Sequence, residues 1–168
     1  MIRSLEEQDI MPMLEWMHDK EVNCWFAVRF ADMTESDVRE FIHKKEPENR
    51  HWAIVDENNE YCGTISLKDI DVKNECAEMA IVTRQKYHGR GYAYYAAIDV
   101  MKIAFHELNL HRIYLNVMAE NGRANAFYNK LGMVYEGMSR QSVVKDGCYI
   151  DLKWYSILKE EFDERNMD

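Results

Sequence analysis

Two prolines and seven glycines in 168 residues leave few places where this chain must break. No Pro/Gly/Ser-rich linker, low-complexity tract or internal repeat divides it, so the expectation is one domain spanning residues 1–168, long enough to bury a full core. No apolar run approaches the ~20 residues of a membrane span. The opening MIRSLEEQDI is too acidic and too poor in apolar residues for a secretion signal, which points to the cytoplasm. Basic residues are in deficit: 21 Lys and Arg face 30 Asp and Glu, for a formal net charge of −9. Nucleic acid and anionic membrane need a basic face, so neither is an expected partner. An acidic balance is compatible with a cationic substrate. The four cysteines (Cys24, Cys62, Cys76, Cys148) form no Cys-x-x-Cys pair and have no histidine at ligand spacing. That argues against structural zinc and disulfides and for free, mostly buried thiols; the six histidines do not cluster, so no metal is expected.

What is present is amphipathic pattern. Ile2–Leu5 reads as a short strand, and Ile10, Met13, Leu14 and Met17 fall at helical spacing. A second helix begins near Thr34, with Asp37 as its capping-box partner and Val38, Phe41 and Ile42 on one face. Between them lies an aromatic loop holding Trp25, Phe26 and Phe30. Strands are expected at 51–56, 61–67 and 77–83, with a charged turn at 71–75. A helix follows, carrying Ala97, Met101, Ala104, Phe105 and Leu108 on one side. An alternating strand at 111–117 and a helix over 121–131, stopped by Gly132, come next. Two strands around Gly147 complete an α+β order with a mixed sheet, not a run of βαβ units.

The junction of the third strand in that run with its helix is the most informative segment, reading RQKYHGRGYAYYAA over residues 84–97. Gly89 and Gly91 allow positive φ and leave amide N–H groups uncovered, and the first turn of the helix adds unpaired donors with its positive dipole end. Such a junction cradles phosphate oxygens. It is not a dinucleotide fingerprint, since position 94 holds Tyr94 in place of a third glycine, and no Gly-Lys-Ser/Thr triplet makes a Walker loop. Arg84, Gln85 and Lys86 read as a solvated loop whose positive charge would suit nearby phosphates.

A second motif lies downstream: Asn121, a short helix with Tyr128, then Leu131-Gly132-Met133. Together with His88-Gly89-Arg90-Gly91-Tyr92-Ala93, it makes the chain resemble the GNAT superfamily of acetyl-coenzyme A-dependent N-acetyltransferases. The resemblance covers nearly the whole chain and implies a mixed sheet of six to seven strands, splayed in the middle and flanked by about four helices. It implies acetyl-CoA as co-substrate, bound by the backbone of Ile81, Val82 and Thr83 along its pantetheine arm, with the Val82 N–H as oxyanion donor. Residues His88, Gly89, Arg90, Gly91, Tyr92 and Ala93 would hold the pyrophosphate, Asn121 would touch the pantetheine, and Tyr128 would protonate the leaving thiolate. His88 stands where the family usually has Gln or Arg, which implies a weaker or a pH-dependent side-chain contact to the pyrophosphate. The general base implied is Glu78, because the family's other base position holds Asn116.

The acceptor implied is the primary amine of a small molecule, a polyamine or amino sugar, with Glu21, Asp32 and Glu35 near the acceptor loops suiting a polyamine. The alternatives are a protein N-terminal acetyltransferase of the ribosomal-protein type and a catalytically idle CoA-binding module. A homodimer through the final hairpin is a further expectation.

Overall fold

The computed structural model describes residues 1–165. Seven strands form one mixed sheet in the order β1-β2-β3-β4-β5-β7-β6. The strands are β1 (Ile2–Ser4), β2 (Arg50–Val55), β3 (Tyr61–Asp71), β4 (Cys76–Thr83), β5 (Arg112–Met118), β6 (Val134–Lys145) and β7 (Cys148–Leu158). The helices are α1 (Ile10–His18), α2 (Lys20–Asn23), α3 (Glu35–His43), α4 (Tyr92–Lys102), α5 (Gly122–Leu131) and α6 (Lys159–Arg165). The two short helices α2 and α6 lie beyond the four read from periodicity. All neighbouring strands are antiparallel except β4 and β5, which run parallel and are joined by α4 as a crossover.

Alternation along the strands divides the core in two. Ile54, Ile65, Leu67, Ala77, Met79, Ile113 and Leu115 face α4, α5 and α6. Ala53, Val55 and Tyr61 face α1, α2 and α3. The stripe read from Ala97 to Leu108 runs along α4 and the π-helical turn Ile103–Glu107 that continues it, with Ala97, Met101, Ala104 and Phe105 fully covered and Leu108 half-buried. Helix α3 starts as expected, with Thr34 and Asp37 exchanging capping hydrogen bonds. The thiols depart from expectation: Cys62 is buried and Cys76 half-buried, but Cys24 and Cys148 are exposed.

One feature of the sheet places the candidate site. β4 and β5 pair only at Cys76↔Arg112, Ala77↔Ile113 and Glu78↔Tyr114. Beyond Glu78 the strands part, while β4 stays paired to β3 as far as Thr83. The second half of β4 therefore has ladder partners on one side alone, and a wedge opens toward the start of α4.

Candidate active site

The wedge leads into a cavity of about 1110 Å³ that passes between the strands and reaches both faces of the sheet. Glu78, Ile81, Val82, Thr83, His88, Gly89, Gly91, Ala93, Asn121 and Tyr128 all line it, so the sequence-predicted set converges. Arg90 and Tyr92 are the exceptions. The Arg90 guanidinium lies over the Tyr87 ring at 5.6 Å, and the Tyr92 hydroxyl donates to Glu57 Oε2 at 2.7 Å.

Backbone register corrects one expectation. Arg84 N donates to Cys62 O at 2.8 Å. Hydrogen-bonded pairs alternate along an antiparallel ladder, so Val82 bonds its register partner Thr64 and its N–H points away from the wedge. The groups turned toward β5 belong to Ile81 and Thr83. The Val82 side chain lines the cavity instead. Gly63 makes this close approach possible, because a Cβ there would sit 2.1 Å from Val82 O.

At the phosphate-type loop Gly89 and Gly91 adopt φ of +75° and +89°, and Gly91 is the N-terminal cap of α4. A Cβ at Gly89 would meet nothing within 4 Å. The cradle is thus open main chain at a helix N-terminus, which fits a phosphate group. His88 does not point into it. Its Nε2 lies 3.1 Å from the Thr83 carbonyl, and its Nδ1 meets the guanidinium of Arg123. Donation to the carbonyl and acceptance from arginine fix the neutral, Nε2-protonated ring. Burial, with Arg123 beside it, holds the His88 pKa below the ordinary value. Arg123 was not singled out from sequence; it reaches the cavity because α5 begins opposite the loop. Arg84 is no phosphate ligand either. It is buried on Glu15, Glu60 and the Tyr61 carbonyl, tying β4 to α1.

Asn121 caps α5, its side chain accepting from Ala124 N at 3.1 Å. Behind it, Asn125 donates to the Asn121 carbonyl at 2.7 Å and accepts from the Tyr155 hydroxyl at 2.8 Å, which pins the first turn of α5 to β7. That turn sets Tyr128, packed against Tyr155 at 5.8 Å between ring centres. Tyr128 is buried, and desolvation, with the Glu78 charge adding to it, pushes its phenol well above the usual tyrosine range. Glu78 itself accepts from Lys68 Nζ at 2.8 Å, and both side chains line the cavity where β4 and β5 part. Two more lining residues escaped sequence reasoning: His51 contacts Ser66 Oγ through Nδ1 at 2.7 Å, and desolvation lowers its pKa. No local pattern flags a residue whose role is a cross-strand contact.

At the far end the walls are aromatic. Trp16, Phe26 and Phe30 pack with ring centres 5.0 to 6.0 Å apart, Phe30 edge-on to the other two, and Trp25 and Phe41 join them on the lining. Glu21, Asp32 and Glu35 are not on it. Asp32 pairs with Arg29, and Glu35 with Arg39. Asp37 does line the cavity, with its carboxylate engaged by Thr34. Among the described residues, no group of three or more His, Cys, Asp or Glu side chains is placed to hold a metal, and no helix is long and apolar enough to cross a membrane.

The profile of an acetyltransferase (GNAT) domain matches residues 1–134. The chain is 26% identical over 166 residues to the spermidine N(1)-acetyltransferase of Vibrio cholerae, covering 98% of this chain and 96% of the relative. It is 30% identical over 153 residues to the spermidine N(1)-acetyltransferase of Escherichia coli K12, covering 88% and 80%. Its fold superposes on the crystal structure of the V. cholerae spermidine N-acetyltransferase in complex with CoA and spermine with a TM-score of 0.87, at 25% identity and 96% coverage of both chains. The splayed sheet, the glycine loop at the head of α4 and the matched profile lead to one conclusion: the chain belongs to the GNAT acetyltransferase family.

Proposed function

We propose that this protein is an acetyl-CoA-dependent N-acetyltransferase acting on a primary amine of a small molecule, with a polyamine as the favoured acceptor. The observation that carries the reading is the wedge beyond Glu78, which joins an open glycine cradle on one side of the sheet to an aromatic-walled chamber on the other. Acetyl-CoA supplies an activated acetyl thioester; the rest falls to this chain. The main-chain groups of Ile81 and Thr83 would pair with the pantetheine amides as an added strand does, and the Ile81 N–H is the donor for charge developing on the carbonyl oxygen. The amides of residues 89–93 and the Arg123 guanidinium would hold the pyrophosphate. Tyr128 keeps its proton because burial and the Glu78 carboxylate oppose ionisation, so it is the acid for the departing sulfur. Glu78, at the wedge mouth, takes the proton from the amine directly or through water. Holding both reactants in line contributes further acceleration. The aromatic faces suit ammonium groups that do not react.

The similarity to two spermidine acetyltransferases and the net charge of −9 support the polyamine over an amino sugar. A cytoplasmic location and self-association across the exposed β6 edge, which carries Val134, Tyr135 and Met138, complete the proposal. The test is CoA release from acetyl-CoA with a panel of spermidine, spermine, amino sugars and a peptide with a free N-terminus. Turnover with the polyamines is expected. Turnover with the peptide alone would move the acceptor to protein N-termini, and tight CoA binding without turnover would leave an idle binding module.

A further inference from the structure

The aromatic chamber is closed by a segment with little structure of its own. Between the end of α2 at Asn23 and a 3-10 turn at Phe30–Asp32 the backbone makes few internal hydrogen bonds. Phe26 and Phe30 hold it to Trp16 of α1 from one side. From the other side it is held by a residue about 120 positions away in the chain. Lys145, at the tip of the β6–β7 hairpin, donates through Nζ to the Phe26 carbonyl at 2.7 Å and lies 3.4 Å from the Asn23 carbonyl. The Asn23 carbonyl, at the C-terminal end of α2, also accepts from Phe26 N at 3.1 Å, so the ammonium is its second partner there, where a cation is favoured.

The hairpin is shaped to deliver this ammonium. Lys145 pairs with Cys148 across a tight turn whose central residues, Asp146 and Gly147, both have positive φ. A bulge between Ser139 and Val143 shifts the register, and a bulge bends the strand that carries it. Val143, just before the tip, lines the same cavity. The tip therefore meets the segment that carries Trp25 and Phe26 instead of running on into solvent.

We infer that Lys145 is a positioning residue for the acceptor amine: it fixes the aromatic segment 23–30 as a wall of the acceptor chamber and has no part in binding acetyl-CoA. The inference rests on the acetyltransferase reading of the cavity. Its test is the steady-state kinetics of Lys145→Met and Lys145→Arg. Loss of a charged donor on two carbonyls is expected to raise KM for the amine about tenfold in Lys145→Met, with KM for acetyl-CoA unchanged and Lys145→Arg close to the parent. An unchanged amine KM, or equal rises for both substrates, overturns it. If the parent acetylates no amine, the acetyltransferase reading is what fails, and the latch is read instead by trypsin cleavage after Arg29, whose side chain is 84% exposed. Cleavage there is expected about tenfold faster in Lys145→Met than in Lys145→Arg, because opening is local; equal rates overturn the latch.

Discussion

The proposed acetyl transfer gives three side chains separate parts, and each part has its own signature. Tyr128→Phe keeps the ring packing on Tyr155 and removes only the proton. Its kcat is expected to fall by about a hundredfold, with CoA affinity unchanged by calorimetry. Glu78→Gln removes the proton acceptor instead; its kcat/KM is expected to drop by a similar factor and to recover partly as pH rises and more amine is neutral. Full activity in Glu78→Gln would hand the base role to His51 on the same wall. His88 gives the pH dependence. Its folded pKa lies below the ordinary value of 6.5, so the folded protein binds fewer protons than the unfolded chain as pH falls through that value. The contribution is fully present above about 6.5 and is lost as pH drops toward the depressed value. Protonation also removes the acceptor for Arg123. KM for acetyl-CoA is therefore expected to rise on acidification, and His88→Gln, which can still donate to Thr83 and accept from Arg123, is expected to flatten that rise.

At the scale of elements, the β3–β4 pair is the site's foundation. Gly63→Ala would drive a methyl into the Val82 carbonyl and is expected to cost roughly 1–3 kcal/mol. The checks are a lowered Tm and a raised KM for acetyl-CoA, since β4 is the strand displaced. Helices α1, α3, α4 and α5 and the strands of the sheet were legible because each repeats an apolar residue at its own period. The two loop glycines were legible because a turn at a helix start calls for them, whereas Asn121 and Tyr128 stood out through the motif they share with the GNAT family. Other features were not. β3 continues past Leu67 to Asp71 through a polar run that reads as loop, carried by pairing with β4 across an irregular register. Helix α2 is only four residues, too short for a period to appear. The partners of Glu78, His88 and Arg84 lie on other elements, and Lys145 meets a segment at the other end of the chain. Which way the Val82 N–H faces depends on register, which alternation alone does not set.

At the scale of the molecule, the two core clusters share one sheet, so residues 1–165 are expected to unfold in a single transition with coincident fluorescence and circular-dichroism midpoints. CoA at a hundredfold excess over its Kd is expected to add about 2.7 kcal/mol to that stability. Two separate transitions would divide the chain into independent units. The parting of β4 from β5 has a last consequence, for heredity. A surface that recognises its guest through peptide groups stores no information in the identity of its side chains there. Thr83 is thus free to drift among residues that sustain an extended strand, and Ile81 among apolar ones that keep its packing on the core; a saturation screen of those codons should find that tolerance, with proline reliably lethal at both because only proline deletes the N–H itself.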